Sequence, residues 1–188
     1  MMSSRNSAGG VVVTLTTAVA LAPAAAFAVD YMSAEEAAKL MFPQADRFES
    51  RTLAFDAAQL QRLAAAGVSP RSARWQVRVA QRDGATLGYV VVDDVIGKFE
   101  LISYAVGIGS DGVIRQVEVL SYRESHGHEV RLPAWRKQFV GKDSSAPLRV
   151  GDDIANISGA TLSCSHVTEG IKRIVAVIDL ARQLGTLA

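Results

Sequence analysis

The sequence predicts an α+β domain: an antiparallel sheet covered by helices, with a stretch of small residues leading into a long C-terminal helix. Three observations carry this reading. From Arg74 the apolar residues fall at every second position, through Trp75, Val77 and Val79, which is the period of a half-buried strand. Two β-branched and aromatic runs follow, Leu87 to Val92 and Phe99 to Ile108, and Ser110-Asp111-Gly112 then turns the chain into Val113, Val117 and Val119, the pattern of a hairpin. Finally, Val167, Ile171, Ile174, Val175, Ile178, Ala181 and Leu184 lie on one stripe at helical spacing.

In chain order, residues 1–28 read as a secretory signal. Arg5 precedes an apolar run from about Val11 to Ala26, and Ala26-Phe27-Ala28 is a small-x-small cleavage site that leaves Val29 first. The run is short for a membrane span and is interrupted by Thr14, Thr16 and Thr17, so an uncleaved membrane anchor is the second reading. Ser33-Ala34-Glu35-Glu36 is a capping-box pattern that starts a helix ended by Pro43. A second helix runs from Phe55 to Ala66, with Leu60 and Leu63 on one face, and stops at Gly67 and Pro70. Both helices are expected to pack on the sheet, with Tyr31, Phe42 and Phe48 as core or cover. Asp83-Gly84 turns the first strand into the second. In the last helix, Glu169 and Arg173 form an i,i+4 pair expected on the solvent side, and Gly185 is the residue expected just past the end.

Composition narrows the function classes. Without residues 1–28, which hold Arg5 and no acidic residue, 19 basic side chains face 19 acidic ones, and both signs are scattered through the same segments. A nucleic-acid partner is not expected, because phosphate backbones select a basic excess on one face. The remaining length suits one domain, residues 29–188, with a sizeable core. Cys164 is the single cysteine, so no disulfide forms within the chain. His126-Gly127-His128 with His166 invites a metal reading, but a structural zinc site takes four well-placed ligands and the sequence supplies one cysteine, so no metal is assigned.

Ser158-Gly159-Ala160-Thr161-Leu162-Ser163 runs straight into the C-terminal helix. Gly159 and Ala160 leave little bulk beside the Thr161 hydroxyl. Small hydroxyl residues at a helix start serve as ordinary N-caps. The same place suits a phosphate, since the free N–H groups and the positive end of the helix dipole favour an anion there.

This stretch resembles the flavinylation motif of the FMN-binding domain family, which includes subunits of the sodium-pumping NADH:quinone reductase and of Rnf complexes. The resemblance extends to Tyr122-Arg123-Glu124-Ser125-His126-Gly127-His128-Glu129, similar to the family's Glu/Gly loop, and to Phe139-Val140-Gly141-Lys142, similar to its Phe-x-Gly-Lys segment, and covers roughly residues 85 to 184. One departure is Ala155, where the proteins of those complexes usually have an acidic residue. The resemblance implies FMN held covalently through a phosphoester to Thr161, with Ser158, Gly159, Ala160, Leu162 and Ser163 around it. It also implies Glu124 fixing the loop or the ring edge, Gly127 allowing close backbone approach, and Lys142 as a counter-charge for flavin or phosphate. Trp135 is either a ring neighbour or a core residue.

The function so implied is an exported, periplasmic electron carrier loaded by a flavin transferase. It exchanges electrons with donor and acceptor redox proteins, membrane-bound ones among the candidates. No Gly-rich Rossmann turn accompanies it, so direct NAD(P)H oxidation is not expected. No residue is assigned a catalytic role. The alternatives are a periplasmic ligand- or metal-binding sensor without redox role, and a stand-alone flavin-dependent reductase.

Overall fold

A computed structural model of the chain describes residues 29–187; the signal segment expected at residues 1–28 lies outside them. Six strands form one sheet: β1 (Val29–Asp30), β2 (Arg47–Ala54), β3 (Arg74–Arg82), β4 (Ala85–Ile96), β5 (Leu101–Gly109) and β6 (Ile114–Tyr122). Their order is β1-β6-β5-β4-β3-β2, and every neighbouring pair is antiparallel. Helices α1 (Ala34–Met41), α2 (Ala57–Ala65), α3 (Pro133–Arg136) and α4 (Thr161–Gln183) complete it. The expected α+β class is the observed one.

The near-continuous apolar runs of β4 and β5 have a physical cause: both faces of the sheet are covered, so neither set of alternate side chains meets water. On one face, Ala37, Ala38, Met41 and Phe42 of α1 pack on Ala80, Val90, Ala105 and Leu120. The Ser33 capping box that starts α1 is present, with Glu36 N donating to Ser33 Oγ at 3.2 Å and Ser33 N donating to Glu36 Oε2 at 2.7 Å. On the other face, Val167, Ile171, Ile174 and Ile178 of α4 meet Val91, Tyr104, Val106 and their neighbours, with Leu63 of α2 in the same core.

α4 lies close to the sheet because Gly170 permits it. A Cβ at Gly170 would stand 1.9 Å from Tyr104 Oη. That hydroxyl is buried and donates to Asp93 Oδ2 at 3.1 Å. Arg173, one turn after Gly170, falls on the same flank. Its Nη1 therefore lies 3.6 Å from Asp93 Oδ2 and its Nε donates to Ser69 O at 3.0 Å, with the side chain only 11% exposed. The expected solvent-side pairing with Glu169 is corrected accordingly. The helix ends as expected at Gly185, where Gly185 N and Thr186 N bond Arg182 O and Ala181 O, both at 3.0 Å, a Schellman motif.

β2 is an element the sequence pattern does not suggest. It is an edge strand paired only to β3 and carries Arg47, Glu49 and Arg51. Charge on an edge strand guards against unwanted pairing and erases the apolar alternation that would reveal a strand. Between β6 and α4 the chain packs Val130, Trp135, Phe139, Leu148 and Ile154 into the main core. Trp135 is a core residue: it stacks edge-on to Phe139 at 5.1 Å and donates Nε1–H to Ala155 O at 2.8 Å.

Candidate functional site

Antiparallel register brings three segments distant in sequence to one end of the sheet. β6 ends at Tyr122, which lies opposite Ile102 at the start of β5, and Leu101 lies opposite Ile96 at the end of β4. The β4–β5 turn, the loop after β6 and the first turn of α4 thus surround one cleft. It measures about 430 Å³ and is lined by Lys98, Phe99, Glu124, Ser125, His126 and residues 159–163. That volume is within the ordinary range for small-molecule sites.

The α4 wall is built on a turn. Ala160 N donates to Ile157 O at 3.0 Å, and Gly159 in that turn has φ +82°, a conformation that side chains rarely adopt. Ala160 is the N-cap and no side chain hydrogen-bonds the helix start. The amides of Thr161, Leu162 and Ser163 are therefore the uncapped donors of a 23-residue helix. Substituting a capping side chain by Ala costs about 1 kcal/mol, and an anion at this point recovers that loss. Thr161 is exposed, and its Oγ1 accepts a hydrogen bond from Asn156 Nδ2 at 3.1 Å. Ser163 is not the cap: it sits in the first turn, 3% exposed, with Oγ 3.4 Å from Tyr122 Oη. Ser158 is exposed just before the turn and is not among the lining residues.

The loop wall is locked by Tyr122 and Gly127. Tyr122 donates its hydroxyl to His126 O, and its ring meets His128 edge-on at 5.5 Å. Burial pushes the Tyr122 hydroxyl above its ordinary pKa. Gly127 lies behind the cleft, backing onto Ala160. The histidines have separate partners. His126 Nδ1 is 2.9 Å from Ser125 Oγ, and His166 Nδ1 bonds Ile96 O.

The third wall, Gly97–Glu100, is held by Glu124. Its Oε1 accepts from Phe99 N at 2.6 Å and Glu100 N at 3.0 Å. Burial works to raise the Glu124 pKa, but the amides of Glu100, Phe99 and Lys98 outweigh it and hold the carboxyl below its ordinary value. Of the two roles expected for Glu124, the geometry favours fixing a loop. Lys142 is not brought to the cleft. Its Nζ pairs with Asp153 Oδ2 at 2.9 Å, and Asp153 also accepts from Arg149 N at 2.8 Å, so the pair ties down the segment before the helix turn. The cation at the cleft is Lys98 instead. Sequence reasoning misses Lys98 and Phe99 because only strand register places them beside residue 161. A Lys-Phe pair between two strand runs is the available signal.

These residues fit a flavin nucleotide: uncapped amides for a phosphate, apolar Phe99 and Leu162 for a flat ring, and a cation between. A larger cleft of about 650 Å³ along β6 lacks such donors, and its Arg136 is paired with Glu118. Residues 97–176 match the family model of the FMN-binding domain. The match opens in the Gly97–Glu100 turn and closes within α4, so the FMN-binding domain takes in all three walls. The chain is 29% identical over 106 residues to an ion-translocating oxidoreductase complex protein, the RnfG-type member, of Aliivibrio fischeri strain MJ11, covering 50% of this chain and 49% of that one. It is 28% identical over the same length to the corresponding protein of strain ATCC 700601 / ES114. The chain thus spans about half the length of these curated relatives. The fold is shared with two solved structures. The NqrC protein of the Na(+)-translocating NADH-quinone reductase of Parabacteroides distasonis ATCC 8503 aligns with TM-score 0.52 at 18% identity, over 79% of this chain and 84% of that one. Shewanella oneidensis NqrC aligns with TM-score 0.50 at 18% identity, over 77% and 88%.

Proposed function

We propose that this chain is an exported carrier of FMN, attached through a phosphoester to Thr161 and passing electrons between redox proteins. The observation that supports it best is an exposed Thr161 hydroxyl opening a helix whose Ala160 cap leaves its first amides unspent above the cleft. FMN when bound supplies one- and two-electron redox chemistry. The protein's part is to bind and orient. The amides of residues 161–163 take the phosphate end, Asn156 orients the Thr161 hydroxyl, and Ser163 with Tyr122 supports the floor. Covalent attachment keeps a carrier loaded in a compartment where a dissociated cofactor is lost. The similar Aliivibrio and Parabacteroides proteins are named as parts of an ion-translocating oxidoreductase complex and of a Na(+)-translocating reductase, which supports protein partners as donor and acceptor.

Arg5 has no adjacent second arginine, which supports export of the unfolded chain and attachment afterwards by an exported flavin transferase. The test is intact mass of the full chain and of Thr161→Ala, made in cells that export a transferase. The expected result is one added flavin mononucleotide on the wild type alone, and none on a chain that begins at Val29 and stays in the cytoplasm. Flavin retained on Thr161→Ala overturns the attachment residue. Loading of the cytoplasmic chain without a transferase overturns the order of events.

A further inference from the structure

The Gly97–Glu100 turn combines a firmly held backbone with exposed side chains. Glu124 takes two of its amides, Gly97 N closes it onto Glu100 O at 2.8 Å, and His166 Nδ1 reaches it from α4, 3.2 Å from Gly97 O. The side chains so presented are not packed: Phe99 is 74% exposed, and Leu162 across the cleft is 47% exposed. Large apolar groups left open on opposite walls of one cleft point to a flat apolar occupant. Lys98 is the one lysine or arginine among the lining residues. Its ammonium lies 4.9 Å from the Phe99 ring centroid, a contact of about 0.5–1 kcal/mol at exposed sites that a nearby negative charge readily displaces.

We propose that this turn is the ring-side wall of the site: Phe99 packs on the isoalloxazine, and Lys98 is the cation that favours its reduced form. The proposal rests on the reading that FMN occupies this cleft. With the phosphate end at the start of α4, the ring end falls between Leu162 and Phe99. Two electrons and one proton delivered by a redox protein leave one net negative charge there, where the oxidised ring system carries none. A cation beside the ring favours the charged product over the neutral reactant. Lys98 so placed raises the midpoint potential. Glu124 is a positioning residue that acts through the turn, since its carboxylate is already spent on backbone amides.

The test uses the full chain loaded with FMN and reads midpoint potential, flavin fluorescence and visible circular dichroism. Lys98→Met is expected to lower the midpoint potential, most at low ionic strength, and Lys98→Arg to restore it. Lys142→Met serves as the comparison and leaves it unchanged. Phe99→Ala is expected to raise flavin fluorescence and reduce the visible dichroism of the bound ring. An unchanged potential in Lys98→Met overturns the role of Lys98 while leaving the FMN reading intact, and a drop in Lys142→Met overturns the placement of the ring. A correctly exported wild type that carries no flavin by intact mass or absorbance overturns both the reading and the inference.

Discussion

A Cβ at Gly127 would lie 2.3 Å from the Cβ of Ala160 and 2.7 Å from Tyr122 Oη. Gly127 also has φ +83°, so one residue fixes both the path of the loop and its distance from the start of α4. Gly127→Ala is expected to destabilise the fold by about 1–3 kcal/mol through overpacking alone. It should also push the loop off the helix start and reduce FMN loading. Denaturant titration checks the first effect and absorbance of the purified protein the second; wild-type values in both would show that the loop accommodates a side chain.

Lys142→Met separates electrostatic tuning from structural support. The Lys142 and Asp153 side chains are 23% and 17% exposed, so breaking the pair leaves a half-buried carboxylate without its cation. A loss of about 1–2 kcal/mol is expected, read by denaturant titration. Asp153→Asn is expected to lose stability too, because it weakens the same anchor for residues 148–154.

The pH dependence follows from Glu124 and Asp153. For Asp153, burial works to raise the pKa and is outweighed by the Arg149 amide and Lys142, so the folded carboxyl lies below its ordinary value; Glu124 is lowered in the folded state as well. A depressed folded pKa contributes stability that is fully present above the unfolded value, about 4 for these groups. That contribution is lost as pH falls through the lower folded value. Stability is therefore expected to be level near neutral pH and to decline from about pH 5 downward. Glu124→Gln should flatten part of that decline. Unfolding curves across this range decide it, and an identical acid slope in Glu124→Gln would remove the carboxylate from the account.

Gly170→Ala tests the seating of α4. The added methyl meets the Tyr104 hydroxyl at 1.9 Å, and relief requires either the helix or the tyrosine to move. A loss of about 1–3 kcal/mol is expected. Gly170→Ala combined with Tyr104→Phe should recover part of it, since the clashing oxygen is gone; failure of the double variant to recover would place the strain elsewhere.

Local signals are legible where the chain makes its own contacts. The Ser33–Glu36 box, the Asp83-Gly84 turn and the Gly185 terminus each involve residues within a few positions of one another, and each is present. Thr161 stands out for the same reason, as part of a contiguous stretch. The rest depends on separation in sequence. β2 is invisible because an edge strand with charges on it has no apolar rhythm. Lys142 reads as a cofactor contact because its distance along the chain from Thr161 says nothing of Asp153, which turns back to meet it. Lys98 and Phe99 escape notice because only the Ile96–Leu101 register at the end of the β4–β5 pair brings them opposite the helix start.

The cleft draws on residues 97–100, 124–126 and 159–163, and nothing but the finished sheet holds these three together. A peptide spanning Ser158 to Cys164 keeps the acceptor hydroxyl but none of the enclosure. A modifying protein that accepts this peptide reads a string of letters; one that ignores it and acts on the folded chain reads a shape. Those two modes impose opposite demands on timing, since the first works on a chain still emerging and the second waits for the last strand to close.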